Sequence, residues 1–213
     1  PMNWHKDRQS GRKGYHHGNL REALIDAALK LISEKGPGGL TFADAARAAG
    51  VSGAAPYRHF RDRDALMADV ALRGYEAFAQ KLSEAWNDGR PDPFTGLDNL
   101  GKAYLGFARN EPSLFAAMFE SGLVLSEHPK TAAAADRSFE VLRSACEALA
   151  VTKAEGQRPP ALMMALHIWS LSHGIVALFG RGDATRRAIP MPAEDLLEAA
   201  VLVYLDGLGI TRV

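Results

Sequence analysis

The stretch "LTFADAARAAGVSGAAPYRHFRDRDALM", Leu40 to Met67, holds two helix-like runs interrupted by Gly50, Gly53 and Pro56, and then sets Tyr57, Arg58, His59, Phe60 and Arg61 in consecutive positions. Thr41 followed three residues later by Asp44 is a capping-box arrangement, so a helix is predicted to start there; its alanine-rich body lets it lie close to its neighbours. Gly50 ends that helix, supplying the positive φ that a tight turn needs. Val51 is an apolar anchor, and Ser52 is a natural N-cap for the next helix. Pro56 lacks an N–H and is tolerated only in a first helical turn, so this next helix is predicted to begin at about Ser52 or Gly53.

A capped helix, a turn at Ala49-Gly50-Val51 and a second short helix make a helix-turn-helix plan. A helix that enters a DNA major groove by its N-terminal end needs a slim, exposed first turn, which Gly53, Ala54 and Ala55 provide. Tyr57, His59 and Arg63 then flank the groove with donors suited to phosphate oxygens, and the helix N-termini at Thr41 and Ser52 add backbone N–H groups. The three small residues offer no polar side-chain groups, so base selection is expected to lean on Arg58, thymine methyl contacts and DNA shape. Phe60 is assigned to the core. The charge distribution agrees with this reading. The chain is formally neutral, with 25 basic and 25 acidic residues, yet the part up to Ala65 carries eleven Lys or Arg against seven Asp or Glu. A basic head on an acidic body suits a protein of which only one end meets a polyanion.

Working outward, Asn19 is placed to cap a helix whose apolar positions Leu20, Leu24, Ala27, Ala28 and Leu31 follow the 3.6-residue period, and "KGPGG" (Lys35–Gly39) stops it. After Arg63 a long helix is expected to reach about Trp86, where "NDGRPDP" breaks the pattern. Further helical patterns cover Phe94–Asn110, Pro112–Gly122, Lys130–Ala150, Pro159–Phe179 and Ala193–Leu208. No segment alternates with period two, so the fold class is all-α with about nine helices.

The last two helices carry a further signal: Leu162 to Phe179 is apolar nearly all round, and Leu196, Leu197, Ala200, Val203, Tyr204 and Leu208 follow it. A helix apolar on every side must be covered on every side, which predicts a homodimer through these two helices. His167, Ser170, Ser172 and His173 interrupt the run, so a buried helix is preferred to a membrane span. The N-terminus is polar and lacks a signal-peptide pattern, and the lone Cys146 fits a reducing compartment; the cytoplasm is the expected location.

No nucleophile elbow, phosphate loop or metal-ligand array stands out, so neither an enzyme nor a cofactor is expected. The adjacent His16 and His17 diverge, and His167 and His173 lie about 120° apart around a helix. Trp169 and His173, at i and i+4, do share a face.

The Leu40–Met67 stretch, with "NLREALIDAALKLISEKG" before it, resembles the DNA-binding signature of the tetracycline-repressor-like (TetR) family of bacterial transcriptional regulators. The likeness runs over roughly residues 15–78 and rests on Thr-x8-Gly-Val-Ser-x4-Tyr-x-His-Phe. It implies that Tyr57 and His59 clamp phosphates and that Arg63 stands where the family usually has lysine; Pro56 departs from the commoner leucine. A weaker likeness, Trp169, His173 and Gly174 in "HIWSLSHGIVAL", points to one C-terminal subfamily with a Trp/His/Gly element. The resemblance implies a DNA-binding domain over 15–78 and a ligand-sensing, dimerising domain over 79–213. The partners would be a palindromic double-stranded operator and a small-molecule effector, with repression as the expected sign. Tyr104, Phe107, Phe115, Met118, Phe119, Trp169 and His173 are the candidates for lining the effector pocket, within a set that is mainly core. Two alternatives stand beside this reading. One is a ligand-binding or adaptor protein that kept the head as a structural domain; the other is a small helical enzyme built around His173 or His167.

Overall fold

A computed structural model describes residues 19–179 and 188–212. The polar N-terminal stretch before Asn19, with His16 and His17, lies outside the described residues. Among the described residues eight α-helices run in order: α1 (Leu20–Lys35), α2 (Phe42–Ala48), α3 (Arg63–Trp86), α4 (Pro93–Asn110), α5 (Pro112–Phe119), α6 (Pro129–Ala150), α7 (Ala161–Phe179) and α8 (Ala193–Gly207). No strand occurs among the described residues.

Local chemistry sets most of the ends. The Thr41 hydroxyl accepts the Asp44 N–H at 3.1 Å to start α2. Gly50, at φ 70°, closes that helix while the Val51 N–H reaches back to the Ala46 carbonyl at 2.9 Å. Asp62 caps α3 by accepting the Ala65 N–H at 2.8 Å, and Asp92 caps α4 by accepting that of Thr95 at 3.0 Å. Asn19 takes the cap position of α1 without a side-chain bond.

One element differs from its prediction. The segment after the Gly50 turn is a single 3-10 turn, Ala55–Arg58, rather than an α-helix, and Ser52 does not cap it: Ala54 occupies the cap position with no side-chain bond. The cause is local. Pro56 brings no N–H, Gly53 disfavours helix, and Asp62 starts α3 only a few residues on, so there is no room for a second α-helical turn. The Pro56 carbonyl instead accepts the N–H groups of both His59 and Phe60, each at 3.0 Å.

At 24 residues α3 is about 36 Å long, enough to run from the head through the body. It packs on α1 at one end and on α4, α5 and α6 along the rest. It crosses the predicted division at 78/79 without a break, and one continuous apolar core joins Leu24 and Phe60 in the head to Leu149 and Leu205 in the body. Where α3 meets α5 the approach is close: a Cβ on Gly74 would lie 2.7 Å from the Met118 sulfur, so the Met118 side chain would have to shift to admit one. The head is tied to α3 by Arg21–Asp69 and by Arg73 reaching both Glu22 and Asp26.

Candidate nucleic-acid interface and internal cavity

In the head, the N-terminus of α2 and the 3-10 turn form one surface. The Tyr57 ring stands edge-on to Phe42 with centroids 4.9 Å apart, which joins Thr41 and the turn; Tyr57 is 64% exposed. Ser52, Gly53, Ala54, Arg58 and His59 are exposed beside it. The Tyr57 hydroxyl and the side chains of Arg58 and His59 have no hydrogen-bond or ion-pair partner among the described residues. Three free polar ends, one phenol, one guanidinium and one imidazole, thus face outward from a narrow turn whose underside is fixed by buried Phe60. The Arg21 guanidinium covers that Phe60 ring at 4.7 Å and donates to the His59 carbonyl at 3.3 Å. Asp44 is held below its ordinary pKa by the Thr41 hydrogen bond and then by the Lys35 charge, so the cap carries a fixed carboxylate.

Two of the residues named from sequence support this surface from beneath. Ala55 is turned into the core of the head and buried. Arg63 donates from Nε to the Leu40 carbonyl at 2.8 Å and from Nη2 to the Pro37 carbonyl, while Nη1 pairs with Asp64 at 3.0 Å. Its guanidinium therefore bolts the α1–α2 connection to the first turn of α3.

In the body, α3 to α7 line a cavity of about 320 Å³ that opens to solvent on one side. Tyr104, Phe119 and Trp169 line it, as do Tyr75, Phe78 and Phe139, which sequence reasoning missed. The remaining wall is largely apolar, with Asp136 and Ser138 from α6. A periodic signal existed: Tyr75, Phe78 and Leu82 share a face of α3, and Asp136, Phe139 and Leu142 share a face of α6. Phe107, Phe115 and Met118 are core residues outside the cavity lining. Phe107 packs on Phe78 at 5.0 Å, Phe115 stacks on His173 at 5.6 Å, and the Met118 carbonyl accepts the Tyr75 hydroxyl at 3.0 Å.

His173 acts on the cavity through Tyr104. Its Nδ1 lies 2.8 Å from the Tyr104 hydroxyl, which also accepts the Trp169 indole N–H at 3.1 Å. Burial pushes the pKa of Tyr104 well above the ordinary tyrosine value and that of Tyr75 up to about 12, and it lowers that of His173. Both directions favour the uncharged side chains, and in the tautomer with Nδ1 unprotonated Tyr104 donates to His173. His167 points elsewhere, its Nδ1 meeting the Tyr204 hydroxyl of α8 at 3.0 Å.

Leu162, Met163, Leu166 and Leu178 on α7 and Val203 on α8 leave large apolar surfaces in solvent, Val203 being 75% exposed.

The chain matches known proteins along most of its length. Residues 24–70 fit the profile described as bacterial regulatory proteins of the tetR family, and residues 97–204 fit a tetracyclin repressor-like C-terminal domain. An uncharacterized HTH-type transcriptional regulator of Bacillus subtilis (strain 168), YobS, is 21% identical over 198 residues, covering 92% of this chain and 95% of its own. A protein of unknown function from Rhodococcus sp. RHA1 has a solved structure with TM-score 0.73 and 29% identity, covering 92% of this chain and 98% of its own. The TetR family transcriptional regulator PfmR from Thermus thermophilus superposes with TM-score 0.62 at 22% identity, covering 89% and 99% of the two chains.

Proposed function

Because this chain belongs to the tetracycline-repressor-like family of bacterial transcriptional regulators, it is a DNA-binding regulator, and we propose that it is a cytoplasmic, ligand-responsive repressor acting as a homodimer on a palindromic operator. The observation that carries this reading is the placement of two features on one rod. Tyr57, Arg58 and His59 project from the turn that feeds α3, and Tyr75 and Phe78 of the same helix wall the cavity.

On this reading, Tyr57 and His59 grip phosphates and Arg58 reaches base edges. Thr41 and Ser52 contribute backbone N–H groups, and Gly53 and Ala54 keep the leading edge slim. Ala55 and Arg63 hold the surface in register. The exposed faces of α7 and α8 from two subunits cover one another and place two recognition turns about 34–36 Å apart, or a multiple of that, for successive major grooves. An effector that fits the cavity better in a conformation with a different spacing draws the population toward it, and operator affinity falls. Tyr75 lies twelve residues beyond Arg63, about 18 Å along α3, so a small tilt imposed at the cavity is carried rigidly to the turn.

Selection of bound duplexes from random DNA by the full chain tests the proposal. An inverted repeat with half-sites one or two helical turns apart, bound with steep salt dependence, is expected. A single unrepeated site, or no duplex retained at low salt, would defeat it.

A further inference from the structure

Among the described residues, every side-chain hydrogen-bond donor in the wall of the cavity in the body has an acceptor. The Tyr75 hydroxyl donates to the Met118 carbonyl, the Ser138 hydroxyl to the Ala135 carbonyl at 2.7 Å, and the Trp169 indole to Tyr104. With His173 neutral, the assignment that gives every proton an acceptor has Tyr104 donating to its Nδ1. The backbone N–H groups of the lining residues in α3 to α7 are taken by the helices themselves. No Lys, Arg or His lines the cavity, whereas Asp136 does, on the exposed side of α6 and without an ion-pair partner among the described residues. What the side chains of the wall offer is lone pairs, one carboxylate and six aromatic rings.

Such a lining selects by charge. A carboxylate or a phosphate entering it would meet the Asp136 carboxylate and a wall with no cation and no free side-chain donor, which disfavours an anion. A cation finds the reverse: aromatic faces attract it, strongly so once it is desolvated, and Asp136 supplies a counter-charge at the mouth. At about 320 Å³ the cavity sits at the small end of the ligand-pocket range, which spans roughly 300–1,000 Å³. We infer that the cavity takes a small organic cation, an aromatic amine or quaternary ammonium compound of one or two rings, held between the aromatic faces with its charge toward Asp136. The inference rests on the reading of this cavity as the effector site.

The test titrates the full chain calorimetrically with three probes of similar shape: benzyltrimethylammonium, its uncharged carbon isostere neopentylbenzene, and the anion 4-tert-butylbenzoate. The cation should bind about tenfold more tightly than the isostere, and the anion more weakly than either. Asp136→Asn, at an exposed position and with an unchanged melting temperature, should remove most of the preference for the cation while leaving the isostere unaffected. Ala135→Phe, which fills the cavity, should abolish binding of both. Equal or tighter binding of the isostere or the anion, no binding of the cation, or a cation affinity indifferent to Asp136→Asn overturns the inference. Operator binding is read in a separate titration. A cation that binds through Asp136 but leaves DNA affinity unchanged upholds the ligand class and removes the effector role. An anion that binds and releases the operator overturns the ligand class while the regulator reading stands.

Discussion

Arg63→Ala separates two roles that a guanidinium at this position could fill. By the family resemblance it stands beside the phosphate-clamping residues; in the fold it donates to the carbonyls of Leu40 and Pro37 across the seam between the α1–α2 connection and α3. A hydrogen bond from a charged donor contributes about 1.5–3 kcal/mol, and with the side chain 34% exposed the lower end applies to each, so the substitution should destabilise the head by about 3 kcal/mol. Arg63→Lys should recover only part of this, because a single ammonium cannot bridge two carbonyls as the planar fork does.

Urea denaturation and the salt dependence of operator binding read the two roles independently. If Arg63 neutralised one phosphate per subunit, its replacement in both subunits of a dimer would lower the slope of log affinity against log salt by about 2. A structural bolt predicts a clear drop in the denaturation midpoint at unchanged slope. If Arg63→Ala keeps wild-type stability and flattens the salt dependence, the bolt argument is wrong and the residue touches DNA.

Tyr57→Phe and His59→Ala should each weaken binding to every duplex and shallow the salt slope without changing the selected motif, since phosphates carry no base identity; a changed motif at undiminished affinity would count against the clamp. Val203→Glu, at a position 75% exposed in the single chain, should leave the subunit folded but monomeric in sedimentation and lower operator affinity with it. A wild-type chain that is monomeric at micromolar concentration while holding a palindrome tightly would sink the dimer. Burial depresses the His173 pKa below its ordinary 6.5, so the unfolded chain takes up this proton first as pH falls; stability is full above pH 6.5 and declines below it, through the lower folded-state value. Denaturation at pH 7.5 and 5.5 should show a loss in the wild type that His173→Asn lacks, and equal losses in both would refute the assignment.

Where each helix begins and ends was legible because those signals are local. Thr41 with Asp44, Gly50 at positive φ and the break at Asn87–Pro93 act within one turn of the residues they control, and the expected spans of α3 to α8 lie within a few residues of those found. The recognition segment was legible as a position but not as a conformation. Gly53 and Pro56 each signal a helix start, yet Gly53 disfavours helix, Pro56 withholds an N–H and Asp62 starts the next helix soon after, so only a 3-10 turn forms, a competition that single-residue preferences do not weigh. The inward turn of Arg63 depends on carbonyls 23 and 26 residues earlier in the chain, and nothing in its own neighbourhood announces them.

The cavity shows the same limit more sharply. Helical periodicity identifies Tyr104, Phe107, Phe115, Met118 and Phe119 as facing inward, and all five are buried or partly buried. Whether an inward face meets another side chain or a void is decided by how five helices are spaced, which no one of their sequences contains. Phe115 meets His173, whereas Phe119 and Trp169 meet the void. The Trp169 and His173 pairing at i and i+4 was readable, but its convergence on a tyrosine 65 and 69 residues away was not. That convergence uses up the side-chain protons on this side of the cavity, with Tyr75 and Ser138 using up the rest, and so leaves the side chains of the wall with acceptors and aromatic rings alone. The chemistry of the pocket therefore follows from hydrogen bonds made away from it, and replacing His173 should alter ligand choice without removing a single lining residue.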